Sequence, residues 1–175
     1  MYVGLSTVLL AGALINASNW SYQCNTVERP LSTPLDRFDI NNDGTLTDFE
    51  SGLTWMRCAL GQQWSGDTCV GRAQSYTWQA AQQQVMALNQ HGGYADHADW
   101  RMPKLPELAS IIERQCAYPR INISLFPNTQ PVFFWSANAK PGSESLGYAL
   151  SFGPEGVSVM NRETLSHVRL VRGRD

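Results

Sequence analysis

Ser51-Gly52-Leu53-Thr54-Trp55-Met56-Arg57-Cys58 opens the stretch that decides the fold. A second cysteine follows at Cys69, then Tyr76-Thr77-Trp78, Asp99-Trp100-Arg101-Met102-Pro103, Glu107-Leu108 and Cys116. Thr77 suits the N-cap of a helix whose apolar positions Trp78, Ala81, Val85 and Leu88 repeat at helical spacing. Gly92-Gly93 ends that helix. A loop from His91 to Asp99 leads into a short strand at Trp100-Arg101-Met102. Pro106 belongs in the first turn of a second helix, with Glu107 near its positive end and Leu108, Ile111 and Ile112 as its buried stripe. Arg101 and Glu107 are placed to pair across this strand-to-helix turn, a structural role.

On the N-terminal side, Phe38 to Thr54 reads as a hairpin turning at Asn42-Asp43-Gly44. On the C-terminal side, Val132–Ser136, Tyr148–Phe152 and Val157–Met160 read as strands separated by Gly- and Pro-containing turns. His167 to Val171 reads as a final strand. Hairpin, helix, helix and antiparallel strands in that order make the chain α+β, with two helices packed on short antiparallel sheets.

The chain has 175 residues, a hydrophobic fraction of 43% and six tryptophans, values of one folded domain. A net charge of −2 gives no global field for nucleic acid or anionic lipid. Residues 2–15 are an apolar run too short to span a bilayer, with the length of a signal-peptide core and cleavage expected after Ala17. The first basic side chain is Arg29, so the charged region usual ahead of such a core is missing, and a start upstream of Met1 would account for it. Residues 18–36, with Pro30 and Pro34, read as an irregular lead-in to a domain over 37–175. No later segment is apolar enough to cross a membrane.

Cys24, Cys58, Cys69 and Cys116 lack the spacing of a zinc or thioredoxin-like centre. An even count behind a signal sequence reads as two disulfides, with three connectivities open. Cys58 and Cys69 flank a flexible loop containing Gly61, Ser65 and Gly66 that a bridge could close, which leaves Cys24 for Cys116. The alternative is four buried free thiols.

Asp39-Ile40-Asn41-Asn42-Asp43-Gly44-Thr45-Leu46-Thr47-Asp48-Phe49-Glu50 matches the calcium loop of an EF-hand, with Asp39, Asn41, Asp43, Thr45 and Glu50 as ligands. The prolines upstream oppose an entering helix, and Thr45-Leu46-Thr47 alternates like a strand. A structural hairpin is therefore favoured over a Ca2+ site. His91, Asp96, His97 and Asp99 share one loop that its glycines leave loose, and a polar surface loop is the expectation there. No nucleophile or phosphate-binding motif stands out.

Aromatic residues are the remaining candidates. Trp55, Trp78, Trp100 and Trp135 lie in periodic segments and are expected in the core. Trp64 lies between the loop cysteines among Gln62, Gln63, Ser65 and Asp67, and such a face suits a sugar ring. Trp64, Gln63 and Asp67 are therefore candidate ligand contacts. Arg162, Arg169, Arg172 and Arg174 form the one local basic bias; a solvated strand edge is favoured there over an anion site, and Arg169 and Arg172 are kept as candidate ligand contacts.

In order and spacing these pieces resemble the Lcl C-terminal domain family, found at the end of bacterial collagen-like adhesins and in small exported proteins. The resemblance spans roughly 37–172. It rests on Asn42-Asp43-Gly44-Thr45-Leu46-Thr47-Asp48, Gly52-Leu53-Thr54-Trp55, the Cys58–Cys69 pair around Trp64, and Asp99-Trp100-Arg101-Met102-Pro103. Leu125-Phe126-Pro127-Asn128-Thr129, Trp135-Ser136 and Val168-Arg169-Leu170-Val171 complete it. It implies a C-type-lectin-like fold and a non-catalytic adhesive module at the bacterial surface, secreted or periplasmic, with an extracellular glycan or a surface protein as partner and self-association as an option. Calcium-dependent lectins coordinate sugar through triplets that Gln130-Pro131-Val132 and Trp135-Ser136-Ala137 do not supply. A subunit of a pilus or matrix is the second expectation.

Overall fold

The computed structural model describes residues 23–25 and 29–173. The signal segment, residues 18–22 and 26–28 of the lead-in, and Arg174 lie outside the described residues. In chain order the elements are β1 (Gln23–Cys24), a 3-10 turn (Leu35–Arg37), β2 (Phe38–Ile40), β3 (Thr45–Asp48), β4 (Thr54–Met56), β5 (Gln63–Trp64) and β6 (Cys69–Val70). Then come α1 (Trp78–Gln90), α2 (Leu105–Ser110), β7 (Cys116–Ala117), β8 (Phe133–Ala139), β9 (Leu146–Ser151), β10 (Val157–Asn161) and β11 (Val171–Arg172). All the strand pairs are antiparallel. The fold is α+β, with a four-stranded sheet β11-β4-β3-β2, a three-stranded sheet β10-β9-β8 and two short ribbons.

Local chemistry sets the elements. Thr77 accepts a hydrogen bond from the Ala80 N–H at 3.2 Å and starts α1. Gly93, at φ +75°, returns its N–H to the Leu88 carbonyl and closes the helix. At α2, Pro106 sits in the first turn and the Glu107 carboxylate accepts from the Lys104 N–H at 2.6 Å. The same carboxylate binds both terminal nitrogens of Arg101, at 2.7 and 2.8 Å. The expected pair at this corner is present, and it is bidentate.

The three-stranded sheet separates two parts of the core, because alternate side chains leave opposite faces. Phe134 and Leu150, opposed in β8 and β9, join Leu108 and Ile111 on the α2 side. Trp135 and Ala149, the next pair, join Ala81 and Val85 on the α1 side. Trp55, Trp100 and Trp135 are buried as expected, while Trp78 is half-buried beneath Arg162, 4.2 Å away.

Both disulfides are formed, Cys24–Cys116 and Cys58–Cys69. The first joins β1 to β7. Near it, Glu113 is fully buried and accepts hydrogen bonds from the N–H and hydroxyl groups of both Ser32 and Thr33 and from the Gln115 N–H. One carboxylate thus ties the segment before the 3-10 turn to the end of α2.

Three expectations need correction. Trp100-Arg101-Met102 is not a regular strand, since only Arg101 bridges, to Val171. The final strand is shorter than expected, Val171–Arg172. Residues 166–170 instead thread between neighbours, with the Met56 and Leu60 N–H groups donating to Leu170 and Val168 and the Trp135 N–H donating to His167. Partners on two sides satisfy the backbone without a continuous ladder. Ile112 is half-buried, since α2 stops at Ser110 and the helical stripe stops with it.

Candidate binding cleft at the Cys58–Cys69 loop

The disulfide closes a loop of 11 residues' separation, which contributes roughly 3 kcal/mol in the chain-entropy view. Within it β5 pairs with β6, setting Trp64 opposite Cys69. Ser65, Gly66 and Asp67 form the turn between them. The Ser65 N–H donates to Thr68 O at 2.9 Å, its hydroxyl donates to Asp67 Oδ1 at 2.8 Å, and Gly66 takes φ +106°.

This small ribbon folds onto the Asn42–Gly44 turn. Trp64 Nε1 donates to the Asn42 carbonyl at 3.1 Å, and the Tyr94 hydroxyl donates to the Asp43 carbonyl at 2.8 Å. Two aromatic side chains from distant loops thus hold consecutive carbonyls of one turn. The Arg57 guanidinium lies 4.2 Å from the Trp64 ring centroid, and Arg57 is fixed by donating to the Leu125 and Ser124 carbonyls. Burial pushes the Tyr94 hydroxyl above its usual pKa, and the nearby Asp43 adds to it. Tyr94 therefore stays a neutral donor at pH 7.

Between these walls lies a cleft of about 520 Å³, lined by Asp43, Leu60, Gln62, Gln63, Trp64 and Tyr94 among others. Met56, Leu60 and Leu88 supply apolar lining, Trp64 and Tyr94 aromatic lining, and Asp43 and Gln63 polar lining. Gln62 is already committed, accepting from the Ala59 N–H at 3.1 Å. Gln63 is exposed in β5.

The sequence candidates divide. Trp64 and Gln63 line the cleft; Asp67 is exposed at the tip of the ribbon. Arg172 lies in β11 opposite Thr54 and ion-pairs with Asp99 at 2.7 Å, outside the residues that line the cleft. Arg169 corrects the reading of a surface arginine cluster. It is fully buried, donating to the Met56 and Arg57 carbonyls and to Thr129 Oγ1 at 2.6 Å, over the Phe126 ring. Burial lowers its pKa to about 9. Its guanidinium ties the core together and is not open to a ligand at the surface.

Of the calcium-loop residues, Asn41, Asp43 and Thr45 meet in the hairpin turn, while Asp39 and Glu50 are engaged elsewhere. Asp39 lies within β2 opposite Thr47. Asp43 Oδ1 accepts from the N–H and hydroxyl of Thr45, at 2.9 and 2.7 Å, and Asn41 donates to the same hydroxyl. Glu50 pairs with Arg37 at 3.2 Å. Among the described residues no three of His, Cys, Asp and Glu gather where a metal could be held. The donors are engaged in the contacts of a β-hairpin turn: a 3-10 turn precedes the stretch, and β2 and β3 run through it. In the 91–99 loop, His91 contacts Ala87 O through Nδ1 and Asp99 is taken by Arg172.

The family model described as the Lcl C-terminal domain matches residues 44–172. The chain belongs to that family. The match begins at Gly44, the residue on which Trp64 and Tyr94 close, and takes in both cysteines of the loop. No curated protein matches the chain. In this Lcl C-terminal domain the site residues that sequence reasoning missed are Tyr94, Gly44 and Arg57. Tyr94 sits in a polar loop with no periodicity. Only its position before His97, with which it forms an isolated bridge, and the two glycines ahead of it hint that the loop folds back.

Proposed function

We propose that this Lcl C-terminal domain is an exported, non-catalytic binding module of C-type-lectin-like fold that recognises glycan at the bacterial surface through the Trp64 cleft. The observation that carries the reading is that Trp64 and Tyr94 line one cleft together with Gln63 and Asp43. A sugar ring has an apolar C–H face and a polar edge, and this combination complements both. The disulfides fit an oxidising compartment, in keeping with export. All four cysteines are bridged, so none supplies a thiolate nucleophile, which favours binding over turnover. Among the described residues no helix is long and apolar enough to cross a membrane.

The test is a glycan array probed with the wild-type chain, Gln63→Ala and Trp64→Ala. Specific binding that drops at least about tenfold in both variants, roughly 1.4 kcal/mol, supports the reading, provided Gln63→Ala melts like wild type. Binding to no glycan, or binding indifferent to both substitutions, overturns it and favours the protein-interaction role in an extracellular assembly.

A further inference from the structure

We infer that the Trp64 cleft selects uncharged, hydroxyl-rich sugars over sulfated or uronic ones and that Asp43 sets this choice, an inference that rests on the glycan reading of the cleft. The placement of hydrogen-bond donors decides it. Trp64 Nε1 is spent on the Asn42 carbonyl, and the Tyr94 hydroxyl hydrogen on the Asp43 carbonyl. The Gln62 amide donates to the Asn128 carbonyl at 3.4 Å and accepts from the Ala59 N–H. The two aromatic side chains thus offer a ligand apolar surface but no free N–H or O–H.

What stays open is mostly acceptor. Asp43 Oδ1 accepts from the Thr45 N–H and hydroxyl, and among the described residues nothing bonds its second oxygen. Asp43 is exposed, and among the described residues that line the cleft it is the one charged side chain. Gln63, exposed in β5, adds one amide with a donor end and an acceptor end. A carboxylate accepts and cannot donate, so it matches a sugar hydroxyl, which brings its own hydrogen. A sulfate ester or a uronic carboxylate brings only acceptors and a negative charge. Beside Asp43 such a group meets like charge, with one amide to bind it.

No basic side chain in the cleft lining offsets this. The Arg57 guanidinium lies 4.2 Å from the Trp64 ring centroid, but Arg57 is 7% exposed, donates to the Leu125 and Ser124 carbonyls and does not line the cleft. Arg169 is fully buried, and Arg172 is taken by Asp99. Arg57 also bears on the opposite alternative, a cationic amino sugar. One cation already lies against the indole and disfavours a second there, so a neutral ring is the better fit.

The experiment is a glycan array on which each neutral oligosaccharide stands beside its sulfated and uronic forms. It is probed at about 50 and 500 mM NaCl with the full disulfide-bonded chain and with Trp64→Ala, Asp43→Asn and Gln63→Arg. Wild type is expected to bind a neutral form at least about tenfold more tightly than its sulfated counterpart, equally at both salt concentrations, and to lose this binding in Trp64→Ala. Asp43→Asn keeps an oxygen for Thr45 but replaces the open acceptor by an NH2 group. It should weaken the neutral ligand at least about tenfold and narrow the gap to the sulfated form. Gln63→Arg changes an exposed side chain outside the Asn42–Gly44 turn and adds the missing cationic donor. It should strengthen the sulfated form at least about tenfold with an unchanged melting temperature. Sulfated or uronic forms that bind best, with loss in Trp64→Ala, overturn the inference and leave the glycan reading standing. A neutral preference that neither Asp43→Asn nor Gln63→Arg alters overturns it as well. Binding to no glycan overturns the glycan reading and this inference with it.

Discussion

Trp64 closes on Gly44 so tightly that a Cβ at position 44 would stand 2.6 Å from the indole Cγ and 2.2 Å from the Tyr94 hydroxyl oxygen. Gly44 also adopts φ +84°. Gly44→Ala is therefore expected to destabilise the fold by about 2–4 kcal/mol, combining a left-handed backbone with overpacking. Gly52→Ala is the control: φ is +70° but the space is open, so only the backbone contribution of about 1–2 kcal/mol remains. Urea midpoints of the two variants should differ in that order; equal losses would mean that the aromatic clamp contributes nothing.

Asp48 and Glu50 both pair with Arg37 but should differ in weight. Asp48 is fully buried and takes two hydrogen bonds from the guanidinium, at 2.9 and 2.6 Å, whereas the Glu50 side chain is 71% exposed. Asp48→Asn should cost about 1–3 kcal/mol, because an amide replaces the buried carboxylate that the half-buried guanidinium binds twice, while Glu50 still faces the charge. Glu50→Gln should change stability by less than about 1 kcal/mol. Chemical denaturation of both variants checks the contrast.

Stability should fall on acidification, in two stages. Burial pushes His167 below its usual pKa, so the folded ring stays neutral while the unfolded one protonates below about pH 6.5. Burial alone would raise Glu113, Asp48 and Glu107. Hydrogen bonds to the Glu113 carboxylate from Gln115, Ser32 and Thr33 outweigh that effect, as do those from Arg37 to Asp48 and from Arg101 to Glu107, and all three lie below the usual carboxylate range. Their contribution is complete above the unfolded carboxylate value of about 4 and is lost as pH falls through the folded values. Glu113→Gln should flatten the second stage and lower stability at pH 7 by about 1–3 kcal/mol, since an amide NH2 would face hydrogen-bond donors. Urea midpoints between pH 7 and pH 3 measure both.

Calcium at about 1 mM should leave the melting temperature unchanged, since Asp39, Asp43 and Glu50 do not gather into one site. A rise of several degrees, abolished by Glu50→Gln, would show that the loop can reorganise around the ion.

Arg169 and Arg172 lie three positions apart but should behave differently. Arg169→Ala removes a fully buried guanidinium together with its contacts to Met56, Arg57 and Thr129; a loss of about 3–5 kcal/mol is expected. Arg172→Ala removes a part-exposed ion pair and should change stability by less than about 1 kcal/mol. Thermal melts separate the two.

What the sequence determined by itself was local or pairwise at short range. Thr77 as a helix cap, Gly93 as its stop, the Asn42–Gly44 hairpin, the Arg101–Glu107 pair and closure of the Cys58–Cys69 loop follow from residue types a few positions apart. Backbone sterics and nearby hydrogen bonds decide such features. Tertiary structure decided the rest. Glu113 finds Ser32 and Thr33 about eighty positions upstream, and Arg169 finds carbonyls more than one hundred positions away. Neither residue type announces its burial, because a charge enters a core only where folding has gathered enough partners to replace water. Trp64 stands on the same divide. Its sequence marked it as a candidate contact, and the fold supplied the second aromatic of the cleft, Tyr94, and Gly44 against them both.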